Sequence, residues 1–317
     1  MSTQSGTAIE VHNLTKRYVL PEKELTAVDH ISFKVHRGEI FGFLGPNGAG
    51  KTTTIRMLTG LASPSEGQAN VLGLDIARSM PQIKKRIGVV PEQSNLYSEL
   101  TAFDNLLFSM ELYGVPRAER AQRAEVLLGR FRLSDKHSMR FGTLSRGMKR
   151  ALTVAASLAH RPEVLFLDEP TTGLDVASAH NLRGIIAELR EEGVTVFLTT
   201  HYLEEAERLC DRIALLVRGS IVTVDTVAGL KAQVQTATAV SVTLESAAGE
   251  RMTRRVTGDN VADIVRQAIT HVESEGGKVL EVNTVSPTLH DAFMQLTGLS
   301  ADVMRDKPGP GNQGSGS

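Results

Sequence analysis

Gly45-Pro46-Asn47-Gly48-Ala49-Gly50-Lys51-Thr52-Thr53 satisfies the spacing G-x-x-x-x-G-K-[ST]. Each residue type in it has a use against a polyphosphate. Glycines let main-chain N–H groups approach an anion closely. A helix starting at the Lys-Thr pair aims its unpaired N–H groups and positive dipole end at the same anion. Lys51 adds a mobile charge for the terminal phosphates, and the Thr52 hydroxyl can ligate Mg2+. The flanks agree. Glu39-Ile40-Phe41-Gly42-Phe43-Leu44 reads as a strand before the loop, and Thr54-Ile55-Arg56-Met57-Leu58-Thr59 as a helix after it. A glycine turn without a ligand would need neither the Lys-Thr pair nor those flanks.

Two acids, Asp168 and Glu169, close the apolar run Val164-Leu165-Phe166-Leu167. Asp168 suits Mg2+, held directly or through water. Glu169 is one residue on and can point elsewhere; a carboxylate beside a γ-phosphate can position and polarise water. Acids at a strand end are often plain surface caps, but the phosphate loop upstream favours chemistry. Leu144-Ser145-Arg146-Gly147-Met148 opens a helix. N-capping alone accounts for Ser145, yet the same helix start offers the Ser145 hydroxyl and the Gly147 N–H to an anion. His201 follows Thr199-Thr200 at the end of a buried run. A lone histidine is usually structural or solvated, but the carboxyl ends of central strands in open α/β sheets are where ligands bind. Tyr18 is either an ordinary strand tyrosine or a platform on which an adenine stacks.

The elements that must position these residues follow from pattern. Residues 8–11 and 31–35 alternate as half-buried antiparallel strands, with Leu14-Thr15-Lys16-Arg17-Tyr18 between them. Strands are expected at 68–72 and 87–90, the latter leading into the polar loop Pro91-Glu92-Gln93-Ser94-Asn95-Leu96. The pattern is helical from Thr101 to His160. Thr101-Ala102-Phe103-Asp104 resembles a capping box, and Phe103, Leu106, Leu107 and Met110 share one apolar face. A second helix is expected from Arg117 to about Arg130, and the Ser145 helix should run to Ala159. Buried parallel strands at 164–167 and 194–198 alternate with helices at 181–191 and 202–209. A hairpin turns at Arg218-Gly219. The pattern changes near Thr226, where a ββαβα unit follows: strands near 237–244 and 250–256, a helix over 260–275, a strand over 278–282 and a helix over 286–296. The tail, 301–317, is expected to be disordered, because its Pro-, Gly- and Ser-rich stretch from Lys307 to Ser317 cannot bury apolar surface.

Composition narrows the classes. With 317 residues, 41% apolar and 22% charged, the chain is globular and long enough for one large or two ordinary domains. A net charge of −1 provides no field that would draw it to nucleic acid, and no nucleic-acid partner is expected. One cysteine, Cys210, excludes an intramolecular disulfide and suits a reducing compartment. Met1 to Glu10 lacks the basic and apolar stretches of a secretory signal. No run approaches the roughly 18 apolar residues of a membrane span, so a span would come from another chain.

Taken together, these motifs resemble the ATP-binding cassette family of ATPases over residues 8–225. Gly45–Thr53 matches its phosphate loop, Leu144–Met148 its signature, Leu165–Glu169 its strand with two acids, Gly173-Leu174-Asp175 its D-loop, and His201 its switch histidine. The resemblance implies an α/β fold: a P-loop NTPase cassette with a RecA-like core, an antiparallel β subdomain and an α-helical subdomain at about 95–160. It implies ATP and Mg2+ as ligands. Tyr18, Gly45 to Thr53, Ser145, Gly147 and Asp175 would contact nucleotide. Thr52, Asp168 and either Glu92 or Gln93 would serve the metal. Glu169, His201 and Lys51 would be catalytic. Two cassettes, identical or related, would close head to tail over two nucleotides, with Ser145 of one facing the γ-phosphate held by Lys51 of the other.

Residues 226–300, ending in Ser286-Pro287-Thr288-Leu289-His290-Asp291-Ala292-Phe293-Met294, resemble the accessory α+β domain of ATPase subunits of ABC-2-type exporters of the daunorubicin-resistance kind. That implies a polytopic permease as partner and a place on the cytoplasmic face of the membrane. Two departures stand out. Glu92 occupies the position where the family usually has Gln, with Gln93 beside it, and Arg146 and Met148 replace a glycine and a glutamine of the signature. A stand-alone soluble cassette is the alternative. Translation-type members carry two cassettes and chromosome-type members long coiled coils, and neither occurs here. Glu169, Ser145 and His201 together argue against a P-loop kinase or a nucleotide-binding scaffold.

Overall fold

The computed structural model describes residues 6–19, 21, 24–234, 238–246, 249–258, 261–285 and 287–300. The expected disordered tail, 301–317, lies outside them. Elements are numbered in chain order. The chain opens with the long strands β1 (Thr7–Val19) and β2 (Glu24–His36), then β3 (Ile40–Leu44), helix α1 (Lys51–Leu58), β4 (Glu66–Val71), β5 (Leu74–Asp75), α2 (Met80–Lys84) and β6 (Ile87–Val90). Three helices follow, α3 (Ala102–Leu112), α4 (Arg117–Arg130) and α5 (Arg146–Ser157). Then come β7 (Val164–Asp168), α6 (Val176–Glu191), β8 (Thr195–Thr200), α7 (Leu203–Leu209), β9 (Arg212–Val217) and β10 (Ser220–Thr226).

β2, β1, β4 and β5 form an antiparallel sheet. A six-stranded sheet runs β10-β9-β3-β8-β7-β6. β3, β6, β7, β8 and β9 are parallel to one another, and β10 pairs antiparallel with β9. β3, β7 and β8 are buried on both faces, as parallel strands covered on both sides are, and are apolar apart from Asp168 at the end of β7 and Thr195, Thr199 and Thr200 of β8. A cluster of phenylalanines joins the two sheets: Phe33 of β2 stacks on Phe41 of β3 at 5.6 Å between ring centroids and lies 6.0 Å from Phe197 of β8. The carboxyl ends of β3, β6, β7 and β8 share one edge of the sheet, where ligands of open α/β sheets bind.

Three local readings change. β1 runs through Leu14 to Tyr18 instead of ending before it; register shifts at Val11/Leu14, Leu14/Lys16 and Lys16/Arg17 break the alternation that would have revealed the strand. In α3 the buried face is Ala102, Asn105, Leu106 and Met110, while Phe103 and Leu107 are only half-buried. Asn105 is inside because its amide donates to the carbonyls of Tyr97, Leu100 and Thr101, closing the loop that precedes the helix. α6 starts five residues earlier than expected, because Asp175 caps it: the carboxylate accepts from the Ser178 N–H at 2.9 Å and from its hydroxyl at 2.7 Å.

Residues Val227–Leu299 form a second compact unit. It contains α8 (Val227–Gln233), β11 (Thr238–Glu245), β12 (Arg251–Gly258), α9 (Val261–Ser274), β13 (Lys278–Val285) and α10 (Leu289–Thr297). The sheet order is β12-β11-β13, all antiparallel. Val240 and Val242 of β11 pack against Ile264 of α9. The ββαβα order matches the sequence pattern, and α8, too short to show a period, precedes it. Thr288 and Asp291 form a reciprocal capping box that starts α10.

Candidate active site

Sterics explain the loop between β3 and α1. A Cβ on Gly45 would lie 2.1 Å from the Leu216 carbonyl oxygen. One on Gly50 would lie 2.5 Å from the Ala27 carbonyl oxygen, and Gly50 also has φ +105°. Only glycine fits either place. α1 has no side-chain cap and no acid in its first turn. Its first N–H groups have no partner within the helix. They open onto a cavity of about 320 Å³ lined by Asn47 to Thr53, Tyr18, Glu92, Glu169 and His201. Leu25, Ala27 and Thr172 complete the wall.

Lys51 is 6% exposed. Its ammonium donates to the carbonyls of Gly45 at 2.7 Å and Pro46 at 3.2 Å, and lies 3.1 Å from Glu169 Oε1. The other oxygen of Glu169 is 2.6 Å from His201 Nδ1 and accepts from the Thr172 hydroxyl at 3.0 Å. Burial alone would raise the Glu169 pKa, but the His201 hydrogen bond and the Lys51 charge outweigh it, and the carboxyl is lowered to about 2. Glu169 is thus ionised, and the proton of its short contact sits on His201 Nδ1.

Consecutive residues of a strand face opposite ways. Glu169 escapes that rule because its φ is +48°, a left-handed conformation unusual for a side chain of this size. The kink lets both acids reach the phosphate loop. Asp168 Oδ1 is 3.2 Å from the Thr52 hydroxyl and accepts from the Thr199 hydroxyl at 2.6 Å, while Glu169 meets Lys51. A hydroxyl and a carboxylate side by side, with Glu92 on the cavity wall, are the hard oxygen donors that Mg2+ takes.

The structure therefore gathers Tyr18, the loop residues, Glu92, Asp168, Glu169 and His201. Gly45 and Pro46 stand behind Lys51, which takes their carbonyls. Between the two Q-loop candidates only Glu92 lines the cavity; Gln93 is exposed and does not. Ser145, Gly147 and Asp175 are not brought to this cavity within one chain. Ser145 caps α5 through the Met148 N–H at 3.3 Å, Asp175 caps α6, and Gly147 lines a separate cavity with Phe131, Leu174 and Ser178. Thr172, Thr199 and Arg150 bear on the acids, and sequence reasoning passed over all three. A signal existed for Arg150: it shares the helical face of Thr153, Val154 and Ser157, a buried face on which a charge needs a reason.

The ABC transporter family profile matches residues 28–172. The chain is 40% identical over 218 residues to the linearmycin resistance ATP-binding protein LnrL of Bacillus subtilis, covering 69% of each chain. It is 39% identical over 298 residues to a fluoroquinolones export ATP-binding protein of Mycobacterium tuberculosis, covering 94% of this chain and 96% of that one. Among solved structures, a dimeric ATP-binding cassette in a post-hydrolysis state, bound to ADP and Pi, superposes with a TM-score of 0.65 at 26% identity, over 69% of this chain and 98% of that one.

Proposed function

This chain belongs to the ABC transporter family of ATP-binding proteins, and from that premise we propose that it is the ATP-hydrolysing subunit that energises an ABC-2-type membrane exporter. Residues 1–225 are its cassette and 226–300 its accessory domain. The observation that carries the reading is the convergence of Lys51, Glu169 and His201, and of Thr52 with Asp168, on the phosphate-loop cavity. Relatives named for linearmycin resistance and for fluoroquinolone export favour drug-like cargo handled by a partner chain. No helix among the described residues is long and apolar enough to cross a membrane. A polytopic permease holding the subunit at the cytoplasmic face supplies the span.

The chain's own residues divide the work. Tyr18 stacks on the adenine. The loop amides and Lys51 hold the β- and γ-phosphates. Thr52 and Asp168, with Glu92, would hold Mg2+, which when bound would neutralise charge on the phosphate oxygens. Glu169 orients a water and accepts its proton as the water oxygen attacks the γ-phosphorus; the bond from that phosphorus to the bridging oxygen breaks, leaving ADP and Pi. His201 fixes the Glu169 carboxylate and faces the same phosphate. The helix start at Ser145 and Gly147, and the turn at Asp175, serve the nucleotide of a facing cassette, which accounts for their distance from the cavity of their own chain. Closure is then a population shift, because nucleotide touches both cassettes only when they are closed.

Purifying the full chain from its native membrane tests both halves. A polytopic membrane protein should co-purify, and ATP–Mg2+ should be hydrolysed with loss of activity in Lys51→Ala. A chain that hydrolyses ATP yet brings down no membrane protein would favour the stand-alone alternative.

A further inference from the structure

Arg150 lies on α5, is 5% exposed, and donates to no side chain of the cavity wall. A guanidinium has five N–H donors in a planar fork. Here all five are used, and every acceptor is a main-chain carbonyl. Nε donates to Pro170 at 2.9 Å. Nη2 donates to Asp168 at 2.7 Å and to Glu169 at 3.1 Å. Nη1 donates to Pro91 and, at 3.1 Å, to Glu92. Three of these carbonyls belong to the turn that carries the two acids. The other two belong to the loop after β6 that carries Glu92.

We propose that Arg150 is a positioning residue that locks the Glu92 loop to the Asp168–Pro170 turn, so that the two move as one body. The inference rests on the nucleotide-site reading above. Its physical basis is a buried charge whose hydrogen bonds, among the described residues, all go to main-chain carbonyls of two loops, with the carboxylates of Asp168, Glu205, Glu92 and Glu169 adding attraction at longer range. Neither loop can shift without stranding donors in a dry interior, which is costly for a charged group. Burial lowers the Arg150 pKa to about 10, so it stays charged at neutral pH. The left-handed backbone at Glu169 is strained. Two of the fork's bonds grip the carbonyls on either side of that residue's Cα, those of Asp168 and Glu169, and hold the kink that turns the carboxylate toward Lys51. A movement of the Glu92 loop is thereby passed to the catalytic carboxylate through one side chain. Lysine cannot substitute, because its donors radiate from a single point and lack the fork.

The test is to make Arg150→Lys and Arg150→Gln in the full chain, and to measure kcat per nucleotide-binding-competent molecule alongside the Kd of a fluorescent ATP analogue without Mg2+, so that the metal-holding residues do not enter the affinity. The Kd should stay near the wild-type value, because no Arg150 contact reaches the phosphate loop. The kcat should fall by about 10²-fold in both variants, as a misplaced catalytic group does. Restoration of kcat by lysine, or a Kd that worsens in step with the rate, would overturn the proposal. Should the variants fold poorly, hydrogen exchange on the wild-type protein decides. On adding ATP–Mg2+, the amides of 92–94 and of 169, 171 and 172 should change protection together; a change in one loop alone overturns the lock. Wild-type protein that neither binds nor hydrolyses ATP would instead overturn the nucleotide reading, so the two failures are distinguishable.

Discussion

Lys51 Nζ and Glu169 Oε1 lie 3.1 Å apart in a site where both side chains are nearly inaccessible. The cation proposed for a terminal phosphate thus pairs with the carboxylate proposed as base. An arriving γ-phosphate competes for Lys51. Once the lysine turns to it, Glu169 loses one of the two charges that depress its pKa and becomes the better base. On the proposed reading, nucleotide binding and base activation would be linked through this ion pair.

Lys51→Ala should abolish tight ATP binding, since it removes the mobile cation of the loop. It should also raise the pKa of Glu169 by removing the Lys51 charge. Isothermal titration with ATP–Mg2+ checks the first effect, and unchanged affinity would remove Lys51 from the phosphate site.

Glu169→Gln keeps shape and removes charge. Hydrolysis should fall by ~10² to 10⁴, the usual contribution of a general base, while ATP binding persists through Lys51, Thr52 and the loop amides. Blocked hydrolysis should hold two protomers around nucleotide, seen by size-exclusion chromatography with ATP–Mg2+ and the membrane partner present. Adding Ser145→Arg should prevent that dimer by obstructing the facing γ-phosphate; a double variant that still dimerises places Ser145 outside the interface.

The Glu169 pKa also sets a pH dependence. Its folded value, about 2, lies below the unfolded carboxyl value of about 4.3. The ionised group therefore contributes stability that is fully present above the unfolded value and is lost as pH falls toward 2. The difference in melting temperature between wild type and Glu169→Gln should be flat from pH 7 to about 5 and should move against the wild type below about 4.3. A difference that does not vary with pH contradicts the shift.

Tyr18 lines the cavity beside Leu25 and Ala27. Aromatic stacking on a base is worth ~1–3 kcal/mol. Tyr18→Ala should therefore weaken ATP binding roughly 5- to 100-fold, and Tyr18→Phe should leave it close to wild type. Equal affinities in all three proteins would make Tyr18 an ordinary strand residue.

Glu92 and Gln93 separate in the same way. Glu92→Ala should raise the Mg2+ concentration needed for half-maximal hydrolysis, because Glu92 borders the cavity, whereas Gln93→Ala should not. The reverse outcome would assign the metal role to Gln93.

The phosphate loop, the acids at the end of β7 and the histidine after β8 were legible in the residues alone, because each motif is short and local and its chemistry depends on residue type at fixed spacing. The parallel core was legible too, since strands buried on both faces read as unbroken apolar runs. Other features are set by what spacing cannot carry. Whether Asp168 and Glu169 share a site depends on a single left-handed φ at Glu169, which no periodicity reports. The choice of Glu92 over Gln93 depends on the path of a loop held partly by Arg150, whose partners are carbonyls about 20 and 60 positions away and leave no mark in residue type. Ser145 and Asp175 read as ligand residues in a linear chain, yet within one protomer each serves its own helix as a cap. Main-chain partners and long-range contacts carry no side-chain signature, so they appear only when the chain is folded.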